Sequence, residues 1–322
     1  RRWVTITPAT TWPNETVIPP YRTEAATQEA GAPDAEPLPS KRFPSPSVGS
    51  ALQEAANHLR PVVETPRVEA EILLMHVLDI SRSSLLTHPE KPLTSAQLST
   101  YESLVGDRVS GHPLPYLTGR IEFYGLEIEV TPEVLIPRPE TEMLVDLALE
   151  RRPRTLIDVG TGSGCIAIAL AKELPDLEVY AIDISPAALA IARHNAERHG
   201  VGERMQFIVS DLLDRRPSPV ALIVSNPPYV SADEWAALPP AIRHHEPRVA
   251  LDGGPDGLDL IRRLLSQCQG LLERGGSLLI EIGADQAEDV KAIARTVFPE
   301  EGNVIRIYRD LAGRDRVLEV QV

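Results

Sequence analysis

Residues 155–164 read Thr-Leu-Ile-Asp-Val-Gly-Thr-Gly-Ser-Gly, and residues 165–174 continue Cys-Ile-Ala-Ile-Ala-Leu-Ala-Lys-Glu-Leu. A short apolar run, a glycine-rich turn and an apolar helical run predict a buried strand feeding a helix through a turn that a ligand can approach closely. The same alternation recurs downstream. Strands are expected at Thr155 to Val159, Glu178 to Ile182, Met205 to Val209, Ala221 to Val224, Ser277 to Ile282, Val304 to Tyr308 and Arg316 to Val320. Helices are expected at Cys165 to about Leu174, Pro186 to Arg198, Leu258 to Leu272 and Ala287 to Val297. Strands alternating with helices imply an α/β fold with a parallel, doubly wound sheet.

The glycine turn and the two strand ends beyond it select a cofactor class. Asp183 closes the second strand nineteen residues after Gly164, where a carboxylate can bind two ribose hydroxyls. A dinucleotide fingerprint needs its third glycine where Cys165 stands, whereas here the glycines fall at 160, 162 and 164. Asp158 precedes the turn; its carboxylate would repel a pyrophosphate but suit the ammonium of a methionine moiety, directly or through water. These features favour S-adenosylmethionine held by Gly160, Thr161, Gly162, Ser163, Gly164 and Asp183. Asp211, near the end of the third strand, falls where the adenine edge would lie, and Leu212 could cover the adenine face. A glycine turn kept only for packing, and a merely solvated Asp211, are the competing readings.

Asn226-Pro227-Pro228-Tyr229 comes just after the fourth strand, at the sheet end where open α/β folds bind ligands. Neither proline has a backbone N–H, so their carbonyls are free to accept hydrogen bonds from elsewhere. The Asn226 oxygen and the Pro227 carbonyl can accept both hydrogens of a planar –NH2 group, and the Tyr229 ring can stack on its flat face. Beside a methyl sulfonium, that clamp implies methyl transfer to nitrogen, with charge growing on the nitrogen stabilised by two acceptors. No general base stands out. A simple strand-ending turn is the competing reading.

Upstream, residues 1–48 are rich in proline and small polar residues and are expected to be disordered. Residues 49–120 read as a small helical domain. One face is Ala51, Leu52, Ala55, Ala56 and Leu59; a second helix after Pro66 would show Val68, Ile72, Leu73, Met75, His76 and Leu78; a third runs from Thr94 through Val109. Residues 121–138 hold a hairpin built on Ile121 to Val130 and a proline-punctuated loop, leaving 139–322 as the catalytic domain, entered by a helix from Met143 to Glu150. Arg138, Glu140 and Glu142 could be an ordinary solvated helix start.

A net charge of −14 argues against general duplex binding, whose affinity comes from lysines and arginines at the phosphates. The two cysteines, Cys165 and Cys268, lack metal-ligand spacing, so neither a disulfide scaffold nor a metal site is expected. Cys165 reads as a small buried helix residue and His244-His245-Glu246 as a surface loop. No apolar run reaches the ~18 residues of a membrane span, and the expected location is cytoplasmic.

The blocks "EFYGL" at 122–126, "LIPRPETE" at 135–142, "DVGTGSGCIAIALA" at 158–171, "SNPPYV" at 225–230, "EPRVALDGGPDGLDLIRRL" at 246–264 and "LLIEIG" at 278–283 resemble the peptide chain release factor glutamine methyltransferases from about Ala51 to the C-terminus. The resemblance implies a Rossmann-like methyltransferase sheet of seven strands with the last antiparallel, preceded by an all-helical N-terminal domain that helps to hold the release factor. It implies S-adenosylmethionine at Gly160 to Gly164, Asp183 and Asn226, and the substrate glutamine of a Gly-Gly-Gln loop at Asn226 to Tyr229. It also places Phe123 and the loop from Arg138 to Glu142 in the pocket wall. Two departures stand out: Leu212 occupies a position that is aromatic in some members, and the first 48 residues have no counterpart. A glutamine of a ribosomal protein and an adenine amino group are the rival substrates.

Overall fold

In the computed structural model, residues 46–215 and 219–322 are described. The expected disorder of residues 1–48 lies outside that range, except at its end. There Ser47 caps α1 (Val48–Leu59) by accepting a hydrogen bond from the Ser50 N–H, and the Leu93 N–H donates to the Pro46 carbonyl, so order begins before Val48.

Four more helices come next, α2 (Pro66–Leu78), α3 (Arg82–Thr87), α4 (Ser95–Val109) and α5 (Leu114–Thr118). Helix α1 buries Val48, Ala51, Leu52, Ala55, Ala56 and Leu59, the stripe its periodicity predicts. Thr94 and Gln97 close a capping box at the start of α4. In α2 the buried face is rotated from the expected one, onto Ala70, Glu71, Leu73 and Leu74, while Val68 is exposed. Glu71 accounts for the difference. Its carboxylate is enclosed between Arg67 and Arg82, which neutralise it and let a charged residue sit inside the stripe.

Strands β1 (Arg120–Phe123) and β2 (Leu126–Glu129) form an antiparallel hairpin. Its two-residue turn, Tyr124-Gly125, has φ of 51° and 71°, the left-handed pair that matches strand twist. The Tyr116 hydroxyl donates to the Val134 carbonyl at 2.6 Å, tying α5 to the chain beyond the hairpin.

Helix α6 (Glu142–Arg151) leads into the large sheet of β3 (Thr155–Val159), β4 (Glu178–Asp183), β5 (Met205–Val209), β6 (Val220–Ser225), β7 (Leu272–Glu281), β8 (Val304–Arg309) and β9 (Asp315–Gln321). Their order is β5-β4-β3-β6-β7-β9-β8, with only β9 antiparallel to its neighbours. This is the seven-stranded doubly wound sheet expected. The chain winds from β3 outward to β5 and then returns to β6 on the other side of β3. A crevice therefore opens at the carboxyl ends of β3 and β6, the switch point of such sheets.

On one face pack α6, α7 (Cys165–Glu173), α8 (Pro186–Arg198) and the hairpin, through Leu144, Val145, Ile168 and Ile128. Two short helices, α9 (Ala232–Ala237) and α10 (Pro240–His245), come after β6. On the other face pack α11 (Asp259–Gln267) and α12 (Ala287–Val297), through Ile261, Leu264, Val290 and Ala294. Helix α11 ends earlier than its apolar pattern suggests and β7 starts earlier, at Leu272. Between them Gly270 adopts φ 72°, and β7 carries extra residues where Val220 pairs with Leu272 but Leu222 with Ser277. The bulge needs Gly276, since a Cβ there would lie 3.0 Å from the Ala221 carbonyl oxygen. Among the described residues no helix is long and apolar enough to cross a membrane.

Candidate active site

The glycine turn leaves β3 and folds back onto β4. The Gly160 and Thr161 N–H groups both donate to the Ile182 carbonyl, at 2.8 and 2.9 Å. The Asp183 carboxylate is then caught between two backbone donors, Gly162 N–H to Oδ2 and Ser185 N–H to Oδ1, each at 2.9 Å. Burial raises its pKa and these donors oppose the rise. Each carboxylate oxygen keeps lone pairs for a diol.

A cavity of about 230 Å³ opens here. Of the residues assigned to the cofactor from sequence, Gly160, Thr161, Gly162, Ser163, Asp183, Asp211, Leu212 and Asn226 line it. Gly164 does not. It has φ 82°, and a Cβ would meet Ile168 Cδ1 at 3.0 Å and the Ala192 Cβ at 3.1 Å, so its glycine serves the packing of α7 against α8. Asp211 is paired with Arg263 at 2.8 Å on the cavity lip, and Leu212 beside it holds φ 47°.

Of the two contacts expected of Asp158, direct or through water, the structure removes the first. Asp158 is fully buried below the turn and absent from the cavity wall, so it cannot meet an ammonium directly. Thr161 Oγ1 donates to its Oδ2 at 2.7 Å, and Oδ1 has no hydrogen-bond partner. Burial, with the Asp183 charge added, pushes this carboxyl up to about 7 against the pull of Thr161. The Cys165 thiol, also buried, is pushed up to about 12, which removes it as a nucleophile at neutral pH.

At the end of β6, Asn226 reaches the cavity and its Nδ2 donates to Thr141 Oγ1 at 3.0 Å. Pro228 is part of the wall, while Pro227 is buried behind it. The Tyr229 ring packs toward the α12 side of the core, its hydroxyl donating to Glu281 Oε1 at 3.1 Å. Gln286 holds the backbone of this segment, its Nε2 donating to the Tyr229 carbonyl at 2.9 Å.

Of the loop before α6, Pro137 and Thr141 line the cavity. Arg138, Glu140 and Glu142 do not. Arg138 pairs with Glu246, which also accepts the Ile136 N–H at 3.2 Å, and Glu142 accepts the Tyr124 N–H at 2.8 Å. Glu246 is therefore a buried anchor for the loop, not part of the surface segment read from His244-His245-Glu246. Phe123 also departs from its expected place: it is 1% exposed within the core beside Ile128 and Leu144 and forms no part of the cavity wall. Its alternation with the exposed Glu122 signals burial, not ligand contact. Among the described residues no cluster could hold a metal ion.

Thr141 belongs to the loop from Arg138 to Glu142 that the resemblance places in the pocket wall, and it does line the cavity, whereas Glu281 and Asn195 are given no role by the sequence. A glutamate closing the apolar run of β7 is the one local sign, because carboxylates are rarely fully buried without a partner.

Residues 50–119 match the family model for the PrmC N-terminal domain, and residues 139–240 match that for the methyltransferase small domain. A release factor glutamine methyltransferase from Moorella thermoacetica is 45% identical over 272 residues, covering 83% of this chain and 95% of that protein. One from Koribacter versatilis is 42% identical over 275 residues, covering 83% and 96%. The fold is shared with the hMettl16 catalytic domain in complex with MAT2A 3'UTR hairpin 6, at a TM-score of 0.51 and 14% identity over 70% of this chain and 81% of that one. With the identity to the first two over nearly their whole length, the chain belongs to the release factor glutamine methyltransferase family.

Proposed function

We propose that this protein transfers a methyl group from S-adenosylmethionine to the side-chain amide nitrogen of the glutamine in the Gly-Gly-Gln loop of peptide chain release factors. The observation that carries the reading is the state of Asn226. Its NH2 is engaged by Thr141, which leaves Oδ1 as the acceptor on the cavity side. The cavity suits an adenosyl cofactor: a glycine turn, a carboxylate held by two N–H groups, and apolar walls from Ile184 and Leu212. When bound there, the cofactor supplies an electrophilic methyl group.

The chain's own residues do the positioning. Asn226 Oδ1 and the Pro227 carbonyl accept the two amide hydrogens, hold the nitrogen lone pair toward the methyl and stabilise the positive charge that develops. Pro228 shapes the approach, the Tyr229 ring is held on the α12 side by Glu281, and the largely apolar walls limit the access of water. Residues 49–120 form the recognition domain for the release factor, 121–138 link it through the hairpin, and 139–322 carry the chemistry, in the cytoplasm.

The test incubates the protein and its Asn226→Ala variant with labelled S-adenosylmethionine and a release factor, with and without the loop glutamine. Label is expected on that glutamine alone, and Asn226→Ala should lower kcat roughly 100-fold or more while weakening cofactor binding far less. Label on a ribosomal protein or a nucleic acid would replace this reading.

A further inference from the structure

Glu246 follows α10, a helix that buries no residue of its own, yet is itself only 5% exposed. Its Oε1 pairs with the Arg138 guanidinium, and its Oε2 accepts the Ile136 N–H at 3.2 Å. Those partners flank Pro137, which lines the cavity, and the Arg138 carbonyl in turn accepts the Thr141 N–H at 3.0 Å. Thr141 Oγ1 then accepts from Asn226 Nδ2 at 3.0 Å. On its other side Glu246 leads through Pro247 to Val249 and Ala250, which also line the cavity. One carboxylate thus fastens two cavity walls, residues 135–141 and 247–250, by a bond that spans 110 positions of the chain.

The helical domain holds the same two walls from outside. The Tyr116 hydroxyl donates to the carbonyl of Val134, a cavity residue, at 2.6 Å, and the His112 ring stands 4.2 Å from that of His245, next to Glu246. Among the described residues, the hydrogen bonds that join one wall to the other are those of Glu246. An enclosed ion pair keeps its geometry because separating the partners leaves a buried charge uncompensated. Without the pair, the loop before α6 loses its hold on Glu246, Thr141 is free to leave Asn226, and the Asn226 amide is free to turn its NH2 edge toward the cavity. The Arg138 side engages through Nη2 alone, so a lysine ammonium can take the place of the guanidinium.

We propose that Glu246 is a positioning residue for methyl transfer, joining the two cavity walls so that Thr141 stays on the Asn226 amide and the substrate nitrogen meets the Asn226 oxygen. This rests on the amide-nitrogen reading of Asn226. Glu246 forms no part of the cavity wall and lies outside the Asn-Pro-Pro-Tyr segment, so it acts through Arg138 and Thr141 and not on the substrate.

The test uses the full chain as wild type, Glu246→Gln, Arg138→Gln, Arg138→Lys, and Glu246→Gln combined with Arg138→Gln. Each glutamine variant should lower kcat on the release factor by roughly 10- to 30-fold, with KM changed by no more than about threefold. Affinity for S-adenosylhomocysteine should also stay within about threefold, because the Asp183 carboxylate keeps its Gly162 and Ser185 donors. The combined variant should be little worse than the weaker single one, since both changes break one link. Arg138→Lys, which keeps the cation, should recover most of what Arg138→Gln loses. In nitrogen-15 spectra the Asn226 side-chain NH2 signals, identified by their loss in Asn226→Ala, should move in both glutamine variants and stay in place in Arg138→Lys. Wild-type kcat in Glu246→Gln, unmoved NH2 signals, a loss of S-adenosylhomocysteine affinity as large as that of kcat, multiplied losses in the combined variant, or equal damage from both Arg138 variants would overturn the proposal. Should Glu246→Gln fail to fold, the Arg138 pair decides. Should the wild type leave the release factor unlabelled, the substrate reading fails, and the Asn226 signals still decide the link.

Discussion

Asp158 carries a buried carboxyl raised to about 7, well above the ~3.9 of an unfolded chain. Between those two values the folded state binds more protons than the unfolded state. The contribution of Asp158 to stability is therefore complete below about pH 4 and is lost as pH rises through about 7. Asp158→Asn removes that titration while keeping the Thr161 contact. We expect wild-type stability to fall relative to the variant by up to roughly 1.4 kcal/mol per pH unit across this window, read from urea unfolding at several pH values. Parallel curves would show that Asp158 does not titrate in the fold. At this scale the sequence marks Asp183, Asn226 and the glycine turn because each stands beside a strand end. It misplaces Phe123 and does not show that Thr141 alone of residues 138–142 reaches the cavity, because whether a side chain faces a cavity or a core depends on which remote element covers it.

Asn195 shows how elements are locked to one another. It lies on α8 with no exposed surface; its Oδ1 accepts the Glu129 N–H at 2.8 Å, and its Nδ2 donates to the carbonyls of Glu129 at 2.9 Å and Ser163 at 3.0 Å. One amide thus joins the hairpin, the glycine turn and a helix. Asn195→Ala would leave three backbone groups without partners, at about 1–3 kcal/mol for each buried one. We expect a loss of roughly 2–4 kcal/mol in unfolding free energy, with weaker S-adenosylhomocysteine binding because Ser163 lines the cavity. Unchanged binding with lowered stability would confine Asn195 to the hairpin. Long elements such as α8 and α12 are legible from their apolar periodicity, and the Tyr124-Gly125 turn from its glycine. The short helices α3, α5, α9 and α10 are not, since five or six residues hold too few turns to show a period.

At the scale of the molecule, the two apolar layers of the sheet are separate cores, and the cavity lies at the switch point above them, walled by the loops after β3, β4, β5 and β6. A ligand there bridges loops from both halves and should stabilise the whole fold. S-adenosylhomocysteine at a hundred times its Kd should add about 2.7 kcal/mol, a rise of roughly 5–10 °C in Tm. A nicotinamide dinucleotide at the same concentration should leave Tm in place; a rise with it would reverse the cofactor assignment. The sequence by itself determined the strand and helix order, the doubly wound sheet and the strand ends that line the cavity, because periodicity and glycine spacing are local. Only the tertiary structure decided that Glu246 anchors Arg138, that Thr141 holds the Asn226 amide, that Glu281 holds the Tyr229 hydroxyl, and that Phe123 belongs to the core. Those contacts join residues up to about a hundred positions apart, and their burial and hydrogen-bond partners exist only once the sheet has closed its layers.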